Sequence, residues 1–535
     1  MDFQRTILFL ALAFTLLLLW QAWQADYGPQ PTPAPTVQAP GQDVPVPTAP
    51  DTGAAAGAPM RPGLDSAQRV RVVTDVFNVE IDTKGGDLRH VDLLGYPVSV
   101  DKPDDPVTLL SDQREVFVAQ SGLLPADRAP THHATYVPEA TDYRLAAGQD
   151  ALEVPLRWTS PEGVTVTKVY TFRRGSYEVD VTHRVTNAGS AEWRGNVYYQ
   201  WLRSQPGDNG RAFIYTYTGG VISGKEAKYE KVDFDDMEDT DLARDLTGGW
   251  AAMIQHYFLG AWIPPQDAIY HYYSKAPGDS RYILGLISPA LTVAPGDTGE
   301  FPARLYVGPK AQETLAQVAP NLELTVDYGM LTVIAKPLYW LLEKIHSFVG
   351  NWGWAIIILT ILIKLAFYKL SETSYKSMAH MRKVQPRLVA LKERFGDDRQ
   401  KLNEAMMKMY REEKINPLGG CLPILVQIPV FIALYWVLLE SVELRQAPGI
   451  LWIQDLSIAD PFFILPILMG VTMLVQHRLN PTPMDPVQAK VMLALPIIFT
   501  VFFAFFPAGL VLYWVVNNTL SILQQWYITR WVVKA

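Results

Sequence analysis

Five runs of almost uninterrupted apolar residues crowd the C-terminal part of this chain: Trp352–Leu370, Leu422–Leu439, the shorter Phe462–Val475, Val487–Phe506 and Gly509–Ile528. Runs of this length and composition match the hydrocarbon thickness of a bilayer. Inside lipid every backbone N–H and C=O must be satisfied within the protein, so such runs fold as helices. A sixth run, Ile7–Trp20, follows Met1-Asp2-Phe3-Gln4-Arg5. Gln21-Ala22-Trp23-Gln24-Ala25 shows no small-x-small cleavage pattern, so residues 1–25 read as an uncleaved anchor with Trp20 and Trp23 at the far interface. The expected fold class is a polytopic α-helical membrane protein with six transmembrane helices, five of them in one core over residues 350–530.

The region between anchor and core has a different character. Residues 28–63 contain ten prolines among Ala, Gly and Thr, so residues 26–65 read as an extended linker. From 66 to 335 the hydrophobic pattern has period two. Phe77, Val79 and Ile81 alternate with Asn78 and Glu80; Val164, Val166 and Lys168 alternate with Thr165 and Thr167; Tyr177, Val179 and Val181 follow the Arg174-Gly175-Ser176 turn. Short alternating strands with Gly and Pro punctuation predict an antiparallel β-sandwich. The one cysteine, Cys421, excludes an intrachain disulfide, so this domain must stand on its own core.

Charge separates the two regions. Residues 24–335 carry 25 Lys/Arg against 40 Asp/Glu, whereas residues 336–535 carry 20 against 13. The 372–418 loop alone holds 11 Lys/Arg, and the 441–460 loop only Arg445. By the positive-inside rule the first loop is cytoplasmic. Six spans then place both termini inside and residues 26–335 outside. Residues 336–349 open at Pro337 and set Leu338, Leu341, Leu342, Ile345, Phe348 and Val349 on one face, as expected of a helix lying in the interface.

The cytoplasmic loop, 372–416, reads as a helical hairpin. Tyr375, Met378, Met381, Val384, Leu388 and Leu391 form one stripe; Leu402, Met406, Met409 and Tyr410 form the other, with Asp398 as a cap between. The stripes are either the seam between the two helices or, because Met adapts to many shapes, a surface for hydrophobic segments.

Lys364 is the residue that composition cannot explain. It lies within Ile361-Leu362-Ile363-Lys364-Leu365-Ala366, where an ammonium costs about 2.5–3.5 kcal/mol to insert. Either its side chain snorkels to the headgroups, roughly 10 Å beyond at ~1.5 Å per residue, or it faces a wet cavity within the bundle. No acidic residue lies inside another span to neutralise it. Thr360, Gln427, Tyr513, Trp514, Asn517, Asn518 and Thr519 supply further polar positions within the spans.

The order of these segments resembles a known family. It comprises the interfacial helix, a charged first span, the hairpin, Asn416-Pro417-Leu418-Gly419-Gly420-Cys421-Leu422-Pro423, and Phe506-Pro507-Ala508-Gly509-Leu510-Val511-Leu512-Tyr513-Trp514. It is similar to the YidC/Oxa/Alb family of membrane insertases, in its Gram-negative inner-membrane form. The match is strong over 335–530 and extends in layout to 1–334.

The resemblance implies a five-helix core around a hydrophilic groove, open to cytoplasm and lipid. The groove's positive charge, usually arginine, falls on Lys364. Gln427 and Trp514 line it, with Thr360, Tyr513 and Asn517 nearby. Ile428, Phe431, Phe499, Phe502 and Phe503 form an apolar slide for a client helix. The outer domain is expected to be a β-supersandwich of the sugar-mutarotase type. Implied partners are nascent inner-membrane proteins, the lipid bilayer, the Sec translocon, and the ribosome with the signal recognition particle pathway. The short tail 531–535 argues against docking to the ribosome through a long basic tail.

No P-loop, HExxH or nucleotide-binding glycine pattern appears, and the nine histidines show no metal-like spacing, so no catalytic residue, cofactor or metal is expected. Two other classes compete. A secondary transporter would show paired repeats and broken helices. A carbohydrate-active enzyme would need a carboxylate pair that the sequence does not place.

Overall fold

The computed structural model describes residues 64–113, 115–125, 127–207, 216–395, 398–413, 422–480 and 486–533. The expected anchor, nearly all of the linker, the 416–421 part of the signature and the last two residues lie outside them.

Alternation builds the β-domain. On strand Val164–Arg173 the residues Val164, Val166, Lys168, Tyr170 and Phe172 are buried while the intervening ones are half-exposed. This strand pairs antiparallel with Ala151–Thr159 and Glu178–Asn187, and the latter pairs with Thr298–Pro309, within a nine-stranded sheet. An eleven-stranded sheet is centred on Trp193–Ser204, flanked by Phe117–Leu124 and Arg281–Ile287. The sheets pack through large aromatic side chains, with the Trp201 and Trp262 rings 6.0 Å apart. Their indole N–H groups donate to the Ala251 and Gln200 carbonyls, as buried tryptophans require. A short helix α1, Phe234–Asp239, lies at one edge.

A lysine is among the cations buried in this core. Lys168 is fully buried and donates to the Gly85 and Ser121 carbonyls at 2.9 and 3.1 Å, with Asp87 at 3.9 Å. Burial pushes its ammonium down from the ordinary 10.5 to about 8, against the opposing pull of Asp87.

The nine-stranded sheet is also covered on its second face. Strands Trp250–Ile254 and Phe258–Ile263 are buried throughout. Helix α2, Gln312–Val318, and the turn Leu322–Thr325 lie over them, with Leu315 and Leu322 inaccessible and the Trp250 indole donating to the Pro320 carbonyl. The same apolar cluster runs on through Tyr328, Tyr339 and Leu342 into the helices beyond.

Helix α3, Thr332–Val349, buries Ala335, Tyr339 and Leu342 and leaves Val333, Trp340 and Phe348 exposed. It starts four residues before the expected Lys336, and Pro337 lies inside it. The missing N–H is tolerated because the Val333 carbonyl it would have met belongs to an exposed turn. Gly350, at φ 69°, stops the helix, and Asn351 starts the next by accepting from the Trp354 N–H.

Helix α4, Trp352–Ala366, is four residues shorter than its apolar run, which extends to Leu370. The chain bends by 68° at Phe367 into α5, Tyr368–Phe395, so the hairpin begins at Tyr368 rather than 372. Helix α6, Arg399–Glu412, returns along α5, with the Asp398 carboxylate accepting from the Lys401 N–H at its start.

Then follow α7 (Leu422–Glu440), α8 (Ile464–Leu479), α9 (Pro486–Phe503) and α10 (Ala508–Tyr527). Helix α10 packs on α4 and α8, and α9 packs on α8. Gly470 makes that last approach possible: a Cβ there would lie 2.1 Å from the Thr500 hydroxyl oxygen. Among the described residues no single helix is long and apolar enough to cross a membrane by itself, whereas α4 and α5 pass that test as a bent pair.

The β-domain is seated on one end of this bundle. Lys310 Nζ and Glu440 Oε2 form an ion pair at 3.0 Å, with side chains 2% and 5% exposed. His256 Nε2 meets the Leu439 carbonyl at 2.9 Å, and Tyr339 donates to Glu443.

Candidate functional site

The helix directions sort the polar side chains into two levels. Residues early in α4, α8 and α10 and late in α7 and α9 lie toward the β-domain; the opposite ends lie toward the hairpin. Lys364 occupies the last turn of α4, so it belongs to the hairpin end. Its ammonium also faces the partial negative charge of that helix terminus.

The Lys364 side chain points into the bundle. Only 9% of the residue is exposed, and Nζ donates to the Ser521 hydroxyl of α10 at 2.7 Å. Ser521 in turn donates to the Asn517 carbonyl. Among the described residues no carboxylate pairs with Lys364. The same level holds Asn518, which donates to Thr472 of α8, and Gln525, which donates to the Leu479 carbonyl and to Asn480. Ser371 and Ser374 of α5 are also buried. This layer holds hydroxyl and amide groups at the level of one cation.

A second level, nearer the β-domain, is aromatic. Phe431, Ile432, Tyr435 and Trp436 of α7, Met469 and Met473 of α8, Phe499, Phe502 and Phe503 of α9, Phe506, and Trp514 of α10 line one cavity of about 510 Å³. Phe431 stands edge-on to Trp514 at 4.6 Å and stacks on Tyr513 at 5.9 Å. The Trp514 indole N–H is buried and has no acceptor among the described residues.

The residues picked from sequence therefore separate. Phe431, Phe499, Phe502 and Phe503 come together in the chamber, while Ile428, also expected there, is exposed one turn away. Trp514, expected in the polar groove, is part of the aromatic wall. Tyr513 is packed in the core. Thr360 is buried one turn before Lys364 on the same helical face, and its hydroxyl donates to the Ile356 carbonyl. Gln427 is half-buried near the start of α7, with no hydrogen bond to Lys364. Asn517 joins the polar layer through its carbonyl. Ser521, the partner of Lys364, was not among the expected positions. Its signal is spacing: it lies one turn beyond Asn517 on the same helical face.

In the hairpin, Val384, Leu388 and Met409 are buried against one another, and Met381, Leu391, Met406 and Tyr410 close around them. Met378 is half-buried outside this cluster. Of the two readings of the Met stripes, the packing is that of a seam.

A bundle of short apolar helices with a buried cation, joined to a two-sheet domain, is the layout expected of a helical membrane protein with a large extramembrane domain. Two family models match in succession: the YidC periplasmic domain over residues 69–341 and the 60Kd inner membrane protein over residues 344–535. A membrane protein insertase YidC of Thioalkalivibrio sulfidiphilus is 56% identical over all of this chain and 99% of its own length. A second, from Methylococcus capsulatus, is 54% identical with the same coverage. A solved YidC insertase with its first transmembrane domain resolved covers 87% of this chain and 94% of its own, at 19% identity and a TM-score of 0.40. The chain belongs to the YidC family of membrane protein insertases, and it is an insertase of the bacterial inner membrane.

Proposed function

We propose that insertion uses the two levels in sequence. A client's acidic segment is drawn from the cytoplasm to the Lys364 layer, while its apolar segment enters the aromatic chamber and leaves into lipid. The observation that carries this reading is the direction of Lys364, whose ammonium faces Ser521 inside the bundle. A charge held among hydroxyl and amide groups shortens the apolar path of a polar segment without any chemical step. Transfer of the apolar helix to lipid is favoured by the hydrophobic effect. The membrane potential pulls each acidic charge outward with about 2.3 kcal/mol per 100 mV.

This reading takes the topology from loop charge: six spans, both termini cytoplasmic and residues 26–335 periplasmic. The basic hairpin then faces the ribosome and anionic lipid, and clients arrive from the ribosome and signal recognition particle route or from the Sec translocon.

Photoreactive residues at Phe431, Trp514 and Ser521 test the path in living cells. During synthesis of a single-span client with an acidic tail, positions 431 and 514 are expected to crosslink to its apolar helix and position 521 to its tail. Crosslinks from none of the three would contradict the path.

A further inference from the structure

The β-hairpin Asp87–Ser99 and Lys102–Leu110 changes character along its length. At its base Leu88, Val91, Leu93, Leu109 and Leu110 are buried in the sheet. From Leu94 outward it leaves the core, and Leu94, Val98 and Val100 are exposed, Val98 at 53% and Val100 at 40%. Clustered apolar side chains on a projecting tip mark a candidate membrane or protein contact.

The tip is fixed beside the membrane-embedded bundle. The Pro97 carbonyl accepts from Arg445 Nη2 at 2.6 Å and from Gln446 Nε2 at 2.7 Å. Both residues follow closely on the end of α7 at Glu440. Tyr96 holds the hairpin from the other side, edge-on to Phe258 at 5.5 Å, with the Arg445 guanidinium over the same ring.

The hairpin is unsuited to a partner strand. Lys102–Leu110 pairs only with Asp87–Ser99, yet Pro103 and Pro106 remove donors from it and Lys102, Asp104 and Asp105 charge it. Such residues block strand addition while leaving the side chains of the tip free. A lipid interface takes up side chains and asks nothing of the backbone, and the tip lies beside the end of α7.

We propose that Val98 and Val100 seat in the lipid headgroup region at the β-domain face of the bilayer, making the hairpin a second membrane contact beside α3. This rests on the reading that α7 ends at that face.

The test uses the full-length protein with Cys421→Ser and one introduced cysteine: Val98→Cys, Val100→Cys, Leu451→Cys in the loop after α7, or Val137→Cys, 69% exposed on a distant strand. Each carries a polarity-sensitive fluorophore in phosphatidylcholine vesicles containing a headgroup-level spin-labelled lipid. Quenching at 98 and 100 is expected to exceed that at 137 at least about threefold, as for groups within the roughly 5–10 Å headgroup boundary. Quenching at 98 and 100 no greater than at 137 overturns the proposal. If Leu451 is quenched in that case, the reading of α7 survives and the hairpin contact alone fails. Protection of 98 and 100 from aqueous iodide without lipid quenching would assign the tip to a protein partner and overturn it equally.

Discussion

Of the buried lysines, Lys168 and Lys364 are held differently. Lys168 sits in a filled β-core against two carbonyls and Asp87, whereas Lys364 donates to the Ser521 hydroxyl between helices. Burial gives Lys168 a pH signature. Its folded pKa of about 8 lies below the ordinary 10.5, so the fold disfavours the protonated form. Below pH 8 that cost is present in full. Between pH 8 and 10.5 the unfolded chain holds the proton and the folded one does not, so stability rises with pH by about 3 kcal/mol, then levels off. Unfolding of the detergent-solubilised protein, followed by near-ultraviolet circular dichroism, should show this slope. Lys168→Met should remove it, and an unchanged slope in the variant would show that another group titrates there.

The sequence placed Lys168 on the inward face and Lys364 in an apolar run, but it named neither partner. Gly85, Ser121 and Ser521 are distant in the chain, and no local period encodes them.

Elements were legible where one face meets water or lipid and the other the core. Strand 164–173 and the last four helices fall where the patterns put them, within a few residues. Strands 117–124, 250–254, 258–263 and 281–287 are buried on both faces and lose the alternation that would announce them. The end of α4 was misplaced because the apolar run continues past Phe367 while the helix does not. The bend puts Lys364 in a last turn rather than mid-helix, which lowers the cost of its charge. Helix contacts depend on small residues that hydropathy does not register. Gly470→Val should push α9 from α8 and destabilise the bundle by about 1–3 kcal/mol, read as a lower melting temperature in detergent. An unchanged melting temperature would mean that Thr500 turns aside freely.

At the scale of the whole molecule, sequence separated a β-domain from a helical core but did not reveal that they share one apolar cluster. The Lys310–Glu440 pair crosses that junction with both charges buried. Removing one partner, as in Lys310→Met or Glu440→Leu, strands the other charge and should cost about 3–5 kcal/mol. The double variant, Lys310→Met with Glu440→Leu, should recover most of that loss in thermal unfolding. Additive losses would show that the two charges do not form an effective pair in the protein.

In the proposed path Lys364 acts on clients through its charge. The direct measurement is in vivo insertion of a single-span client with an acidic tail by Lys364→Arg, Lys364→Ala and Lys364→Glu variants at matched protein levels. Lys364→Arg is expected to insert like the parent, Lys364→Ala to fall roughly tenfold, the equivalent of ~1.4 kcal/mol, and Lys364→Glu to fall further. Equal insertion by all three would contradict the claim.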